Sequence, residues 1–287
     1  MQKTLYVSDM DGTLLGADSK VSDVSCRIIS ALSARGALIT VATARTPATV
    51  QPLMRDALTL PPAITMTGAA LWSRDRECYS EVRFMPEKDV DVVLAACGEC
   101  GIHPFVYTLG ADGVLEVYHA AYALNHAERS FYEQRRSLPL KHFHLGTGLP
   151  AAARGRTILF CALGPIHHTD SAAAMLGERT ECEVMSYPDA LMRDTGILEV
   201  FAPGVSKAAA IARVKEMSGA TRVVAFGDNL NDLPMLAAAD LAVAVENALP
   251  QVRQAADIVI GPNTADSVAR FILSDFESSA AMPPESR

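Results

Sequence analysis

Thr4-Leu5-Tyr6-Val7-Ser8-Asp9-Met10-Asp11-Gly12-Thr13-Leu14-Leu15 is the stretch from which the rest of the chain is read. Thr4 to Ser8 is a short, β-forming, mostly apolar run of the kind that fills a buried parallel strand. It stops at two carboxylates one residue apart, followed by a glycine. On an extended backbone, alternate residues point the same way, so Asp9 and Asp11 face one small volume just past the strand. Gly12 lets the chain turn there without a Cβ clash. Two carboxylates that close repel each other unless a cation or a proton lies between them. The same Asp-Met-Asp-Gly also suits a solvated turn, and the stretch alone does not choose between the two.

Moving outward, Ser22 or Asp23 begins a helix to about Arg35, closed by Gly36. Ala37 to Ala42 reads as a second buried strand, ending at Thr43-Ala44-Arg45. Pro47 opens another helix, and Ala63 to Met66 is a third short strand. This alternation predicts right-handed crossovers and a parallel sheet. From about residue 83 the texture changes to a mixture of hairpins and helices. Near Ile197-Leu198-Glu199-Val200-Phe201 the regular pattern returns: a helix from Ser206, a strand Arg222 to Phe226, and further strand–helix pairs to about Leu273. The expected fold is α/β, a Rossmann-like parallel-sheet core of residues 1–82 and 195–273 interrupted by an inserted α+β domain at 83–194. The Ser/Pro/Glu-rich segment 274–287 is expected to be a flexible tail.

The chain has 287 residues, 49% of them hydrophobic and 20% charged, which are globular values that allow one large domain or two ordinary ones. Its net charge of -8 argues against sequence-independent nucleic-acid binding. It does not argue against small anionic ligands, because a local cation outweighs the global field. No apolar run approaches the length of a membrane span, and Asp9 falls where a signal peptide needs its apolar stretch. A cytoplasmic protein with no membrane partner is expected, its six cysteines free thiols. Cys97-Gly98-Glu99-Cys100 has no second pair at metal-binding spacing and reads as a helix end. His142, His144, His167 and His168 fall in the insert and read as surface or packing residues. Nothing in the sequence fixes an oligomeric state.

Four loops then meet at the carboxyl edge of one parallel sheet, where open α/β folds place their ligands. The first carries Asp9 and Asp11, the second Thr43 and Arg45. Lys207 lies at the start of the helix after the insert. Gly227-Asp228-Asn229-Leu230-Asn231-Asp232 follows the strand Val223 to Phe226. Several acids, a lysine and a hydroxyl at strand ends suit a hard divalent cation such as Mg²⁺ holding an anionic group. Each residue also has a plain reading. Thr43 alone is a strand-end hydroxyl, Lys207 a first-turn lysine of the solvated kind, and Asp232 an acid at a helix N-terminus.

Asp9-Met10-Asp11-Gly12-Thr13, Thr43, Lys207 and Gly227-Asp228-Asn229-Leu230-Asn231-Asp232 together resemble the four motifs of the haloacid dehalogenase superfamily of phosphohydrolases. The large insert and the form of the last motif resemble its Cof-type branch, with a subclass IIB cap. The resemblance implies a Mg²⁺-dependent phosphatase of a small phosphorylated metabolite, such as a sugar phosphate, with the insert as a mobile cap. Asp9 is then the nucleophile that forms an aspartyl-phosphate, and Asp11 the general acid and base. Mg²⁺ lies between Asp9, the backbone carbonyl of Asp11 and Asp228. Thr43, Ala44, Arg45, Lys207 and Asn231 are the implied phosphate or substrate contacts, and Asp232 orients Lys207 or the metal's waters. A phosphomutase of the phosphomannomutase type and a non-catalytic phospholigand-binding protein remain as alternatives. The chain departs from many relatives at Ala44 and Ala208, where they have glycine, and at Thr67, where they have asparagine.

Overall fold

The computed structural model describes residues 3–189 and 192–281. The chain divides into two compact units, Met1–Glu81 with Ser206–Arg287, and Val82–Val205. The first opens with β1 (Thr4–Ser8), buried throughout. Then come α1 (Asp23–Ala34), β2 (Leu38–Val41), α2 (Pro47–Leu53), β3 (Ala63–Thr65), β4 (Ala70–Ser73) and β5 (Cys78–Val82). The intervening unit holds α3 (Glu87–Glu99), β6 (Phe105–Leu109), β7 (Leu115–His119), α4 (His126–Glu133), β8 (Lys141–Leu145), β9 (Thr157–Pro165), α5 (Ile166–Arg179), β10 (Glu183–Pro188) and β11 (Thr195–Phe201). The first unit resumes with α6 (Lys207–Ser218), β12 (Arg222–Gly227), α7 (Leu233–Ala237), β13 (Leu241–Val245), α8 (Pro250–Ala255), β14 (Ile258–Ile260) and α9 (Ser267–Ala281).

The core sheet runs β14-β13-β12-β1-β2 and is parallel throughout. β1, β2, β12 and β13 are buried along nearly their whole length, as parallel strands covered on both faces are, while the edge strand β14 is partly exposed. The chain leaves β1 towards β2 on one side and later fills β12 on the other, so the strand order reverses beside β1. A crevice opens at the carboxyl ends of strands at such a switch point. β3 extends this sheet by a single parallel bridge, Ala42 to Ile64, and otherwise pairs antiparallel with β4. The cause is local: Met66, Thr67 and Gly68 all take positive φ (49°, 57° and 101°), reversing the chain at once.

The intervening unit is built on one six-stranded sheet, β10-β11-β9-β6-β7-β8. It corrects the boundary expected at residue 195. β11 pairs antiparallel with β9 from Thr195–Pro165 to Phe201–Leu159, and with β10 on its other side. Ile197 to Phe201 is flanked by strands on both sides and buried from Leu198 on, so its apolar run has the same texture as a core parallel strand. At the C-terminus, α9 continues through residues 274–281, where a flexible tail was expected. Asp275 explains the extension, accepting hydrogen bonds from Tyr6 Oη and Arg222 Nη1, both 2.7 Å, which tie the helix to β1 and β12. Residues 282–287 of the expected tail lie outside the described residues. All six cysteines are free. No helix among the described residues is long and apolar enough to cross a membrane.

Candidate active site

In the parallel pair β1–β12, Ser8 lies opposite Phe226, and the Asp9 amide donates to the Phe226 carbonyl at 2.9 Å. Asp9 and Asp228 therefore leave neighbouring strands at the same edge. The loops they begin interlock. Thr13 Oγ1 donates to Asp228 Oδ1 at 2.7 Å. Gly12 turns with φ +79°, and a Cβ placed on it would stand 2.4 Å from Asp228 Oδ2. Only glycine fits both the turn and that approach.

Lys207 is the first residue of α6, whose start is capped by Ser206 Oγ accepting the Ala209 amide. Its side chain is buried, and Nζ donates to Asp9 Oδ1 at 2.5 Å and to Asp232 Oδ1 at 2.7 Å. The other oxygen of Asp232 accepts the amides of Asp228 (3.0 Å) and Asn229 (3.1 Å). Asp232, fully buried, thus ties the lysine to the loop that carries Asp228.

Carboxylate oxygens of Asp9, Asp228 and Asp232 lie within 4.8 Å of one another. One ammonium faces three acids, so the cluster holds more negative charge than it neutralises. Burial pushes Asp9 up to about 7; Lys207 opposes that shift, while Asp232 and Asp228 add to it. Burial likewise raises Asp228, against the hydrogen bond from Thr13. For Lys207, burial alone would lower the pKa, but Asp9 and Asp232 outweigh it and hold the amine above its ordinary value. The shifts of Asp9 and Lys207 pull in opposite senses for one contact. The two short donor distances and the raised lysine favour a formed ion pair, with the excess charge left on Asp9 and Asp228. Both oxygens of Asp232 are engaged, so Asp9 and Asp228 are the residues free to hold a cation. A site of hard oxygen donors with no imidazole or thiolate suits Mg²⁺.

Thr43 is buried just past β2, its amide donating to Ile64 O and its carbonyl accepting the Thr67 amide, both at 3.0 Å. Its Oγ1 accepts the Arg45 amide at 3.2 Å, leaving the hydroxyl hydrogen for another acceptor. Ala44 is exposed beside it, and Asn231 is exposed on the turn before α7. The Asp11 carboxylate does not join the other acids; both its oxygens are taken by the Arg45 guanidinium. The residues drawn together by side-chain contact are thus Asp9, Lys207, Asp228 and Asp232, with Asp11 and Arg45 as a separate pair.

Two residues escaped the reading of the sequence. Asn247 Nδ2 donates to the Gly12 carbonyl at 2.7 Å, and its Oδ1 accepts the Asn263 amide at 2.9 Å. Asn263 Nδ2 in turn donates to Leu15 O at 2.7 Å. They brace both ends of the turn that follows Asp9. The available signal was modest: an asparagine two residues past β13, on the same sheet edge as the acids.

A family model described as haloacid dehalogenase-like hydrolase matches residues 6–272. The chain belongs to the haloacid dehalogenase-like hydrolases. This hydrolase is 27% identical over 283 residues to pyridoxal phosphate phosphatase YbhA of Escherichia coli (strain K12), a match spanning 96% of this chain and 99% of that protein. Among solved structures, a haloacid dehalogenase-like hydrolase from Bacteroides thetaiotaomicron superposes with a TM-score of 0.75 at 19% identity, covering 96% of this chain and 100% of that one. A subclass IIB sugar phosphatase superposes with a TM-score of 0.73 at 21% identity, covering 96% and 99%. At those identities the two structures speak for the fold. The resemblance drawn from the four motifs, to the Cof-type branch, is borne out.

Proposed function

We propose that this hydrolase is a Mg²⁺-dependent phosphatase of small phosphorylated metabolites, a sugar phosphate or similar phosphomonoester, working through an aspartyl-phosphate. The observation that carries the reading is the set at the ends of β1 and β12: buried Asp9 against buried Lys207, with half-buried Asp228 within reach of the same cation. Mg²⁺, held by Asp9 and Asp228, would neutralise carboxylate and phosphate charge together.

The chain's own groups do the rest. Lys207 fixes the Asp9 carboxylate and places a positive charge beside it. An oxygen of Asp9 attacks phosphorus as the bond from phosphorus to the ester oxygen breaks, and Asp11 passes its proton to that leaving oxygen. Water then attacks phosphorus, giving a proton to Asp11 and returning Asp9 as a carboxylate. Thr43 donates its free hydroxyl hydrogen to a phosphoryl oxygen. Asp232 keeps Lys207 in place. Phosphoryl transfer asks a protein mainly for positioning and charge stabilisation, and this set is suited to both. The Escherichia coli relative, matched over nearly its whole length, is named for a small phosphomonoester, pyridoxal phosphate. Six free cysteines suit a reducing, cytoplasmic setting.

Phosphate release from a panel of small phosphomonoesters, with Mg²⁺ and with a chelator, tests the reading on the parent and Asp9→Asn. Turnover that needs Mg²⁺ and disappears in Asp9→Asn is expected. Preference for phosphoproteins or nucleic-acid ends, or full activity in Asp9→Asn, would refute it. Passage of the phosphoryl group to a sugar hydroxyl in place of water would mark a phosphomutase.

A further inference from the structure

Arg45 grips Asp11 with a fork. Its Nε stands 2.7 Å from Asp11 Oδ2, and its Nη2 stands 2.5 Å from Oδ1. Both carboxylate oxygens therefore accept from a guanidinium, a group that keeps its own protons. That is an unsuitable resting state for a residue that has to reach a leaving oxygen, because both of its oxygens are turned to the guanidinium. The pair is nevertheless poorly sheltered: the side chain of Asp11 is 55% exposed and that of Arg45 27%. Exposed ion pairs contribute little net stability, so this one is easily exchanged for a better partner.

A phosphoryl group is such a partner. It presents a guanidinium with the same paired oxygens and more charge. The main chain of Arg45 is already anchored among the residues that suit a phosphoryl site. Its amide donates to Thr43 Oγ1 at 3.2 Å, and its carbonyl accepts the Met66 amide at 3.0 Å. The side chain can change partner while the loop stays still.

We propose that Arg45 is an exchangeable clamp, holding Asp11 in the free enzyme and moving to the phosphoryl oxygens of an arriving phosphomonoester, which releases Asp11 for proton transfer. The clamp rests on the phosphatase reading above. It makes Asp11 and phosphate competitors for one guanidinium, and competition shows as coupling between two substitutions.

The experiment is calorimetric titration of inorganic phosphate into the full-length, Mg²⁺-loaded protein, for the parent, Arg45→Gln, Asp11→Asn and the double variant. Arg45→Gln should weaken phosphate at least about tenfold, the scale of a lost charged hydrogen bond. Asp11→Asn should tighten it about tenfold where Arg45 is present, and by no more than about twofold where it is absent, the remainder being relief of simple repulsion. Arg45→Lys, which keeps the charge without the fork, should recover only part of the coupling. In steady-state assays Arg45→Gln should raise KM by a larger factor than it lowers kcat. An equal gain from Asp11→Asn in both backgrounds, or unchanged phosphate affinity in Arg45→Gln, overturns the clamp while phosphatase activity stands. A parent that neither binds phosphate nor hydrolyses any phosphomonoester overturns the phosphatase reading, and the clamp with it.

Discussion

Gly12→Ala probes the interlock of the two acidic loops, and the structure supplies its own control. At Gly12 a new Cβ would stand 2.4 Å from Asp228 Oδ2 and 2.9 Å from its Cγ, whereas real contacts of this kind keep beyond 3.0 Å. Asp228 must retreat. It is tethered by Thr13 at 2.7 Å, and its amide is bound to Asp232, so retreat breaks the charged hydrogen bond, at about 1.5–3 kcal/mol. The positive φ of +79° adds roughly 1–2 kcal/mol for any residue with a Cβ. Gly36 has a similar φ of +92°, but a methyl group added there would meet no atom within 4 Å, so Gly36→Ala bears the backbone cost alone. Urea unfolding should therefore show Gly12→Ala about 1.5–3 kcal/mol less stable than Gly36→Ala. If Asp228 holds Mg²⁺, calorimetric titration should also show affinity falling on the order of a hundredfold in Gly12→Ala and unchanged in Gly36→Ala. Equal stability and equal Mg²⁺ affinity in the two variants would refute the interlock.

Three further outcomes are expected. Thr67 is a β-branched residue held at φ 57°, ψ 19°, a region asparagine tolerates far better. Thr67→Asn should stabilise the protein by about 1 kcal/mol, read as a rise in melting temperature, and a fall would sink the strain argument. Buried His119 has acceptors at both ring nitrogens, Ala121 O at 2.9 Å on one side, and His103 O at 3.1 Å and Glu128 at 3.4 Å on the other, which calls for a doubly protonated ring. Burial alone would lower its pKa, but Glu128 and the two carbonyls outweigh it, so the folded value lies above the ordinary 6.5. The pair's stabilisation is then complete below about pH 6.5 and lost as pH rises through the raised folded value. Glu128→Gln should cost about 3 kcal/mol near pH 6 and less near pH 9, and a gap that stays constant between those two denaturation series would contradict the pairing. Finally, Mg²⁺ at a hundred times its dissociation constant should stabilise the parent by about 2.7 kcal/mol and Asp228→Asn far less, as thermal melts would reveal.

What the sequence made legible was identity along the chain. Asp9, Lys207, Asp228 and Asp232 could be placed because each sits at the end or start of a strongly patterned element, and parallel topology sends such ends to one edge. Partnership was harder to read. That Arg45 bonds Asp11 depends on a side-chain rotamer, and that Asn247 reaches Gly12 depends on a contact across 235 residues. The misplaced boundary at residue 195 has a similar origin. Leu198 to Phe201 is buried, and burial on both faces erases the alternation that separates an antiparallel strand from a parallel one. The helix through residues 274–281 was missed because five of its eight residues are polar, while a tertiary anchor at Asp275 holds it in place.

The placement of Lys207 explains how a long insert and a tightly specified site coexist in one chain. Lys207 follows closely on the unit Val82–Val205, so its position could depend on how that unit folds. The core fixes it independently. Ser206 caps α6, and its carbonyl oxygen would stand 2.3 Å from a Cβ on Gly68, so the start of the helix is pressed against the Met66–Gly68 turn. That turn is bound in its own right to the residues after β2, Met66 to Arg45 and Thr67 to Thr43. Asp232 then holds the ammonium from the far side. The contacts named here that aim Lys207 at Asp9 all come from the unit of residues 1–81 and 206–287. The strain at Met66 and Thr67 falls in the one segment that has to touch both the Thr43 loop and the returning chain, which is where an uncommon backbone is worth its energetic cost.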